Sequence, residues 1–287
     1  MKIRLFKTGV NRSVGGNIVL WLFMLLFSLT MVLPLVYAVS SALKPMDEFF
    51  VFPPKFFPMH PTLKNFSDLF SIFDQSEIPF TRYVINTVFV SVTGTAGQVV
   101  LASACAYALT KLRFPGRRVM LKMIVMSLMF NSTVTAIVNF VTLRMLGMVD
   151  TYWSIIIPGF ASSLGLYLMS QFMDQMIPDS ILEAARIDGS GEFRIFFTIA
   201  FPMVKPAWLT LIVFSFQALW NNTGSVYIYD ERLKTVSFAL SQIQAGGIAR
   251  SGAAAAGAVL SMSVPILIFV LTQSSVMETM ATSGMKD

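Results

Sequence analysis

Six apolar segments, at about 18–39, 83–109, 119–142, 152–173, 203–222 and 254–276, constrain this chain more than any other feature of its sequence. A helix needs about 20 apolar residues to cross about 30 Å of hydrocarbon, and each segment is long enough. Composition agrees, with 55% of residues hydrophobic, 13% charged, and 26 Phe and 19 Met filling the runs. Such a chain is built for a bilayer, which excludes intrinsic disorder and a secreted disulfide scaffold. The predicted fold class is all-α, a polytopic membrane protein with six transmembrane helices. The single cysteine, Cys105, and the single histidine, His60, provide no disulfide, thiolate cluster or imidazole site. No Gly-x-x-x-x-Gly-Lys-Ser/Thr loop is present to cradle a nucleotide, so an energy source has to come from another chain.

Lys2, Arg4, Lys7 and Arg12 precede the first apolar run, as in a signal peptide, but the run lacks a small-residue cleavage site at its end and reads as a retained first helix. Basic residues near helix ends stay in the cytoplasm. Placing both termini inside puts that group, the group Lys111, Arg113, Arg117 and Arg118, and the group Arg186, Arg194 and Lys205 on the cytoplasmic face. Lys44, Lys55, Lys64 and Arg82 then fall outside, where five acidic residues in the same loop offset them. The expected organisation is a cytoplasmic N-terminal segment at 1–17, a membrane domain at 18–277 and a cytoplasmic tail at 278–287. The Pro-rich outer loop at 44–82 reads as ordered or interfacial, and Pro115-Gly116 marks a tight cytoplasmic hairpin between the second and third spans.

The most polar inner stretch lies in 174–202 and reads as two short helices. Asp179 or Ser180 can cap the first, Gly189 ends it as a left-handed residue would, Ser190 can cap the second, and Pro202 stops or redirects the chain. Ala184, Ala185 and Ile187, flanked by Glu183, Arg186 and Asp188, offer a small, smooth surface suited to docking against a protein.

Glu183-Ala184-Ala185, three residues, Gly189, nine residues, then Ile199-x-Phe201-Pro202 resembles the EAA motif of permease subunits of bacterial binding-protein-dependent ABC importers. Phe201 stands where the family pattern has Leu. The Lys-x-Arg-Phe-x-Gly-Arg hairpin at 111–117, Trp220-Asn221 at the end of the fifth run, and a short tail with Gly284 and Lys286 near its end extend the resemblance to maltose-type carbohydrate permeases. The resemblance implies a multi-pass protein of the bacterial cytoplasmic membrane that imports a carbohydrate without being an enzyme. Its implied partners are a second permease subunit, a dimeric cytoplasmic ATPase that binds the ATP and Mg, an extracytoplasmic solute-binding protein and membrane lipid. No nucleic acid is among them, and this chain itself carries no cofactor. It also implies that the 174–202 loop forms a coupling helix on the ATPase, through Glu183, Ala184, Ala185, Asp188 and Gly189, with Pro202 closing the motif.

Polar residues inside a span face the bundle or a water-filled path. Asn131, Thr135 and Asn139 share one face of the third span, and Gln217 and Asn221 one face of the fifth, beside Trp220. Neutral amides, a hydroxyl and an aromatic ring suit a hydroxyl-rich solute, so these six residues are candidates for the path. Interhelical hydrogen bonding is the competing reading for each. Asp, Glu and His are missing from the middle of the spans, which counts against ion coupling. An ion-coupled carrier or a channel subunit with a fortuitous EAA-like loop is the alternative reading of the whole chain.

Overall fold

A computed structural model describes residues 14–74, 77–130 and 132–283 of the 287. Among them the regular structure is entirely helical. The described residues form two compact units, one within 14–69 and 246–259 and the other within 70–245 and 260–283.

In the first unit, α1 (Val14–Ala42) is a long helix whose apolar side chains stay exposed, as a lipid-facing surface requires. The Pro-rich stretch after it is ordered by local bonds. Asn65 donates to the carbonyls of Ala42 and Lys44 at 2.8 and 2.7 Å, and the Glu48 carboxylate accepts from the backbone of Met59 and His60. Asn65 lies near the start of α2 (Lys64–Asp74).

The second unit is organised on α3 (Phe80–Lys111), a helix of 32 residues and about 48 Å. Its buried residues fall in pairs one turn apart, including Asn86 and Thr87, Val90 and Ser91, Gly94 and Thr95, Gln98 and Val99, Ala102 and Ser103, Ala106 and Tyr107. That 3.6-residue period is the signature of one face packed along its whole length. Several hydroxyls on this face satisfy themselves within the helix, Thr87, Ser103 and Thr110 each bonding the carbonyl four residues earlier. Two shorter helices follow, α4 (Arg117–Ser127) and α5 (Ser132–Met145). Next come α6 (Trp153–Phe160) and α7 (Ser163–Met176), where Ser162 caps α7 by accepting from the Gly165 N–H. The polar stretch then supplies α8 (Asp179–Ile187), α9 (Glu192–Ile195), a wider π turn at Phe196–Ala200, and α10 (Phe201–Met203). Helices α11 (Lys205–Trp220), α12 (Val236–Ala245) and α13 (Ser251–Ser283) complete the chain. Helix α3 packs against α6, α7 and α11. A Cβ added to Gly94 would stand 2.5 Å from a Leu219 methyl, so the missing side chain is what lets α3 and α11 approach this closely.

Four of the described helical stretches are long and apolar enough to span a membrane, or five if one bent pair counts as a span, against the six expected. The expected third span at 119–142 is not one helix. Helix α4 ends at Ser127 and the chain closes tight turns through Phe130 before α5 starts at Ser132. The expected fifth span is reached through a 79° bend at Val204. Pro202 lies just before that bend and Pro206 just after it, in the first turn of α11, where a proline's missing N–H costs no helix bond. Across the bend, the Phe201 carbonyl accepts the Trp208 indole N–H at 3.2 Å, and the Phe201 and Trp208 rings stack 2° from parallel.

Candidate functional site

The stretch after α7 is shaped by a pattern of inward and outward side chains. Leu182 and Ala185 of α8 turn into a buried cluster with Ala106, Tyr107, Ile195, Phe196 and Ala200. Ala185 is therefore no part of an open docking patch, which corrects the surface expected from sequence; its small side chain is what allows α8 to lie close on the bundle. Exposed instead are Glu183, Ala184, Ile187, Asp188 and Gly189, with Phe193 and Pro202 beyond them. Ile187 and Phe193 are each 85% exposed, large apolar side chains standing free on the same loop.

Gly189 has φ 79°, and its N–H bonds the Arg186 carbonyl while the Ser190 N–H reaches back to Ala185, both at 3.0 Å. This pair of bonds is the Schellman stop for a helix, which favours glycine at the left-handed position. The capping expected at the other positions is not found. Pro178 precedes α8 and Gly191 precedes α9, neither helix start has a side-chain cap, and neither Asp179, Ser180 nor Ser190 serves as one.

Asp179 is occupied elsewhere. Its Oδ1 accepts from Lys111 Nζ at 2.9 Å, and this hydrogen bond holds the Asp179 carboxyl below its usual pKa. Lys111, at the last turn of α3, also reaches the Asp174 carbonyl. One turn earlier, the Tyr107 hydroxyl donates to Glu192 Oε2 at 2.7 Å, and Arg186 Nε donates to Glu192 Oε1 at 2.7 Å. The loop is thereby stapled to the C-terminal end of α3 through both of its short helices.

A cavity of about 360 Å³ opens between α3, α6, α7 and α11. Its polar lining comes from Gln98, Ser154, Ser162, Ser215, Asn222 and Tyr227, its apolar lining from residues such as Leu168, Leu211 and Phe214, and no charged side chain lines it. The Ser215 hydroxyl is buried without a hydrogen-bond partner, as are those of Ser91 and Thr95 on the buried face of α3. Each such group costs about 1–3 kcal/mol unless something else bonds it.

The path residues expected from sequence are not drawn together here. Thr135 and Asn139 are exposed on α5, and Asn131 lies outside the described residues. Gln217 is exposed and lines a separate, mainly apolar cleft with Val213, Phe216 and Phe269, and Asn221 is exposed at the end of α11. Trp220 is buried, its indole N–H donating to the Ser261 carbonyl at 3.0 Å; it packs α11 against α13 instead of lining an open path. Sequence reasoning followed the amides at 217 and 221 and passed over Ser215. Ser215, Leu219 and Asn222 recur at i, i+4 and i+7, a stripe nearly opposite Gln217, and that spacing was the available signal.

No family model matches the chain. A polygalacturonan/rhamnogalacturonan transport system permease, YtcP of Bacillus subtilis, is 30% identical over 223 residues, covering 77% of this chain and 75% of that protein. A galactooligosaccharides transport system permease of the same organism, GanQ, is 25% identical over 93% of this chain and 94% of its own length. An sn-glycerol-3-phosphate transport system permease of Pectobacterium atrosepticum is 31% identical over 68% of this chain and 70% of that protein. Among solved structures, a chain of a bacterial ABC transporter involved in import of the acidic polysaccharide alginate superposes with a TM-score of 0.75 at 23% identity, over 94% of this chain and 99% of that one.

Proposed function

This chain belongs to the permease subunits of carbohydrate ABC importers, membrane proteins that are not enzymes themselves, and on that premise we propose how it couples and what it conducts. The stretch at 174–202 is the coupling element. It lies on the cytoplasmic side and seats α8 against a separate ATPase dimer through Glu183, Ala184, Ile187 and Asp188, with Gly189 setting the exit angle. Ala185 acts from behind that surface by letting α8 lie close on the bundle, and Pro202 lies exposed beyond it. The observation that carries this reading is the pairing of two free apolar side chains, Ile187 and Phe193, with a backing stapled to α3. A helix that is rigidly backed and apolar in front passes on a partner's displacement instead of absorbing it.

The chain crosses the membrane six times with both termini inside, α4 and α5 together making the third crossing and α11 the fifth. A second permease subunit supplies the other half of the path, and an extracytoplasmic binding protein delivers the solute. A solved alginate importer in complex with its solute-bound periplasmic protein, of similar fold at a TM-score of 0.58, supports that arrangement. The solute is an oligosaccharide. Neutral donors and acceptors at Gln98, Ser215 and Asn222, beside the rings of Phe214 and Tyr227, suit sugar hydroxyls and ring faces. Relatives named for pectic and galactose oligomers point the same way.

Purification of the intact complex tests the reading: a stoichiometric ATPase and a second permease chain should accompany this one, and a cysteine at Ser190 should label only from the cytoplasm while one at Ser67 labels from outside. Isolation of the chain alone, or reversed accessibility, would overturn it. For the solute, Ser215→Leu should lower oligosaccharide uptake about tenfold with assembly intact, since a lost hydrogen bond in a dry site is worth about 1–3 kcal/mol.

A further inference from the structure

The two ends of α3 carry the same device. At its C-terminal end Tyr107 donates to Glu192 of the 174–202 stretch at 2.7 Å, and at its N-terminal end Tyr83 donates to Glu231 at 2.8 Å. Both tyrosines are 4% exposed, so each hydroxyl is held within the packing. Around Tyr83 the grip widens: Asn86 donates to the carbonyls of Arg232 and Lys234, and Thr87 accepts from the Val236 N–H. Segment 222–236 is further tied by Asp150, whose carboxylate accepts from the backbone of Tyr229 and Asp230. The tyrosines stand about 36 Å apart at about 1.5 Å per residue, joined by an uninterrupted helix. A helix packed along its whole length and clamped at both ends carries displacement without dissipating it.

We propose that Tyr107 and Tyr83 are positioning residues that make α3 a strut, joining the coupling stretch at one membrane face to segment 222–236 at the other so that the two move as one body. The proposal rests on the coupling role assigned above and adds where the motion goes: the nucleotide state of the ATPase sets the position of an external loop through two tyrosine hydroxyls. Neither tyrosine touches solute or nucleotide in this scheme.

The test uses the whole reconstituted importer with Cys105→Ser and a single reporter, Ser225→Cys, on the exposed part of segment 222–236. Maleimide labelling of that reporter is compared between nucleotide-free and vanadate-trapped complexes, beside solute transported per ATP hydrolysed. With both tyrosines present, labelling should change several-fold with nucleotide state. In Tyr107→Phe and in Tyr83→Phe, ATP hydrolysis should persist while the labelling change collapses, and solute per ATP should fall about tenfold, the size expected for a hydrogen bond to a charged group. Should Tyr107→Phe assemble poorly, Glu192→Gln takes its place, and Glu231→Gln does so for Tyr83→Phe; each keeps an acceptor for its tyrosine hydroxyl and should assemble while still weakening the response. Equal labelling changes and equal stoichiometry in the parent and all variants would overturn the strut. Absence of any nucleotide response in the unmodified complex would instead overturn the coupling role on which it rests.

Discussion

The two ends of α3 hold their loops by different chemistry. At the C-terminal end most partners are side chains, Asp179, Glu192 and, through Glu192, Arg186, with the Asp174 carbonyl as the backbone exception. At the N-terminal end most partners are backbone groups, the carbonyls of Arg232 and Lys234 and the N–H of Val236, with Tyr152 closing on Asn86. Backbone partners are present whatever the side chains, so that end holds a chain path. Side-chain partners depend on charge and protonation, so the other end holds a surface that conditions can adjust.

The sharpest break of this contrast is Asn86→Leu. It removes both carbonyl contacts and leaves the Tyr152 hydroxyl unmatched in a site only 1% exposed, so the complex should lose about 3 kcal/mol or more, read as a fall in melting temperature. A variant that melts with the parent would show that water or lipid replaces the clamp. Next comes Gly189→Val. The glycine has φ 79° and open space beside it, so the cost, about 1 kcal/mol or more, is backbone strain and not collision. Solute-stimulated ATPase activity should disappear while the chain stays in the membrane, and Gly189→Asn, which tolerates the left-handed region, should keep most of it.

Salt separates the two ends more gently. Raising ionic strength from about 0.05 to about 0.5 M should speed labelling of Ser190→Cys about twofold and change Ser225→Cys less, because screening acts on exposed charge pairs first and the other end keeps backbone contacts beside its Lys234–Glu231 pair. Equal responses would mean that the ends are held alike. The smallest expected effect belongs to Asp179→Asn, below about 1 kcal/mol, since the carboxylate is 73% exposed. Its sign with pH is fixed. The folded carboxyl titrates below its usual value, so its stabilisation is present above that value and disappears as pH falls through the lowered one. Parent and variant should therefore converge in acid, and melting curves at pH 7 and pH 3 check this.

The same contrast explains what the sequence could disclose. The loop at 174–202 was legible because its signals are local: a left-handed glycine after a short amphipathic run, within a spaced motif. The capping assignments failed because Asp179 meets Lys111, 68 residues earlier in the chain, and no local pattern reports that. The N-terminal clamp was illegible for the same reason, with Asn86 and its partners 146 and 148 residues apart. The apolar runs announced a helical membrane protein, yet run length cannot register an interruption near 130 or a bend of 79°, which depend on where carbonyls find donors. At the cavity, amide side chains drew the eye to Gln217, whereas the buried hydroxyl of Ser215 carries less chemical weight and sits on the other side of α11.

The bend at Val204 has a mechanical reading. Residues 192–203 form an arm about 18 Å long ahead of it, on the helical rise of about 1.5 Å per residue, so about 10° of rotation at the elbow would sweep the far end through about 3 Å. That far end carries Glu192, the residue gripped by Tyr107 and Arg186. The stacked rings of Phe201 and Trp208, and the indole bond across the corner, stiffen the elbow against flexing. On the coupling role proposed above, a pull at Glu192 would act on α11 as torque, which would turn the helix that bears Ser215 about its own axis instead of sliding it along that axis.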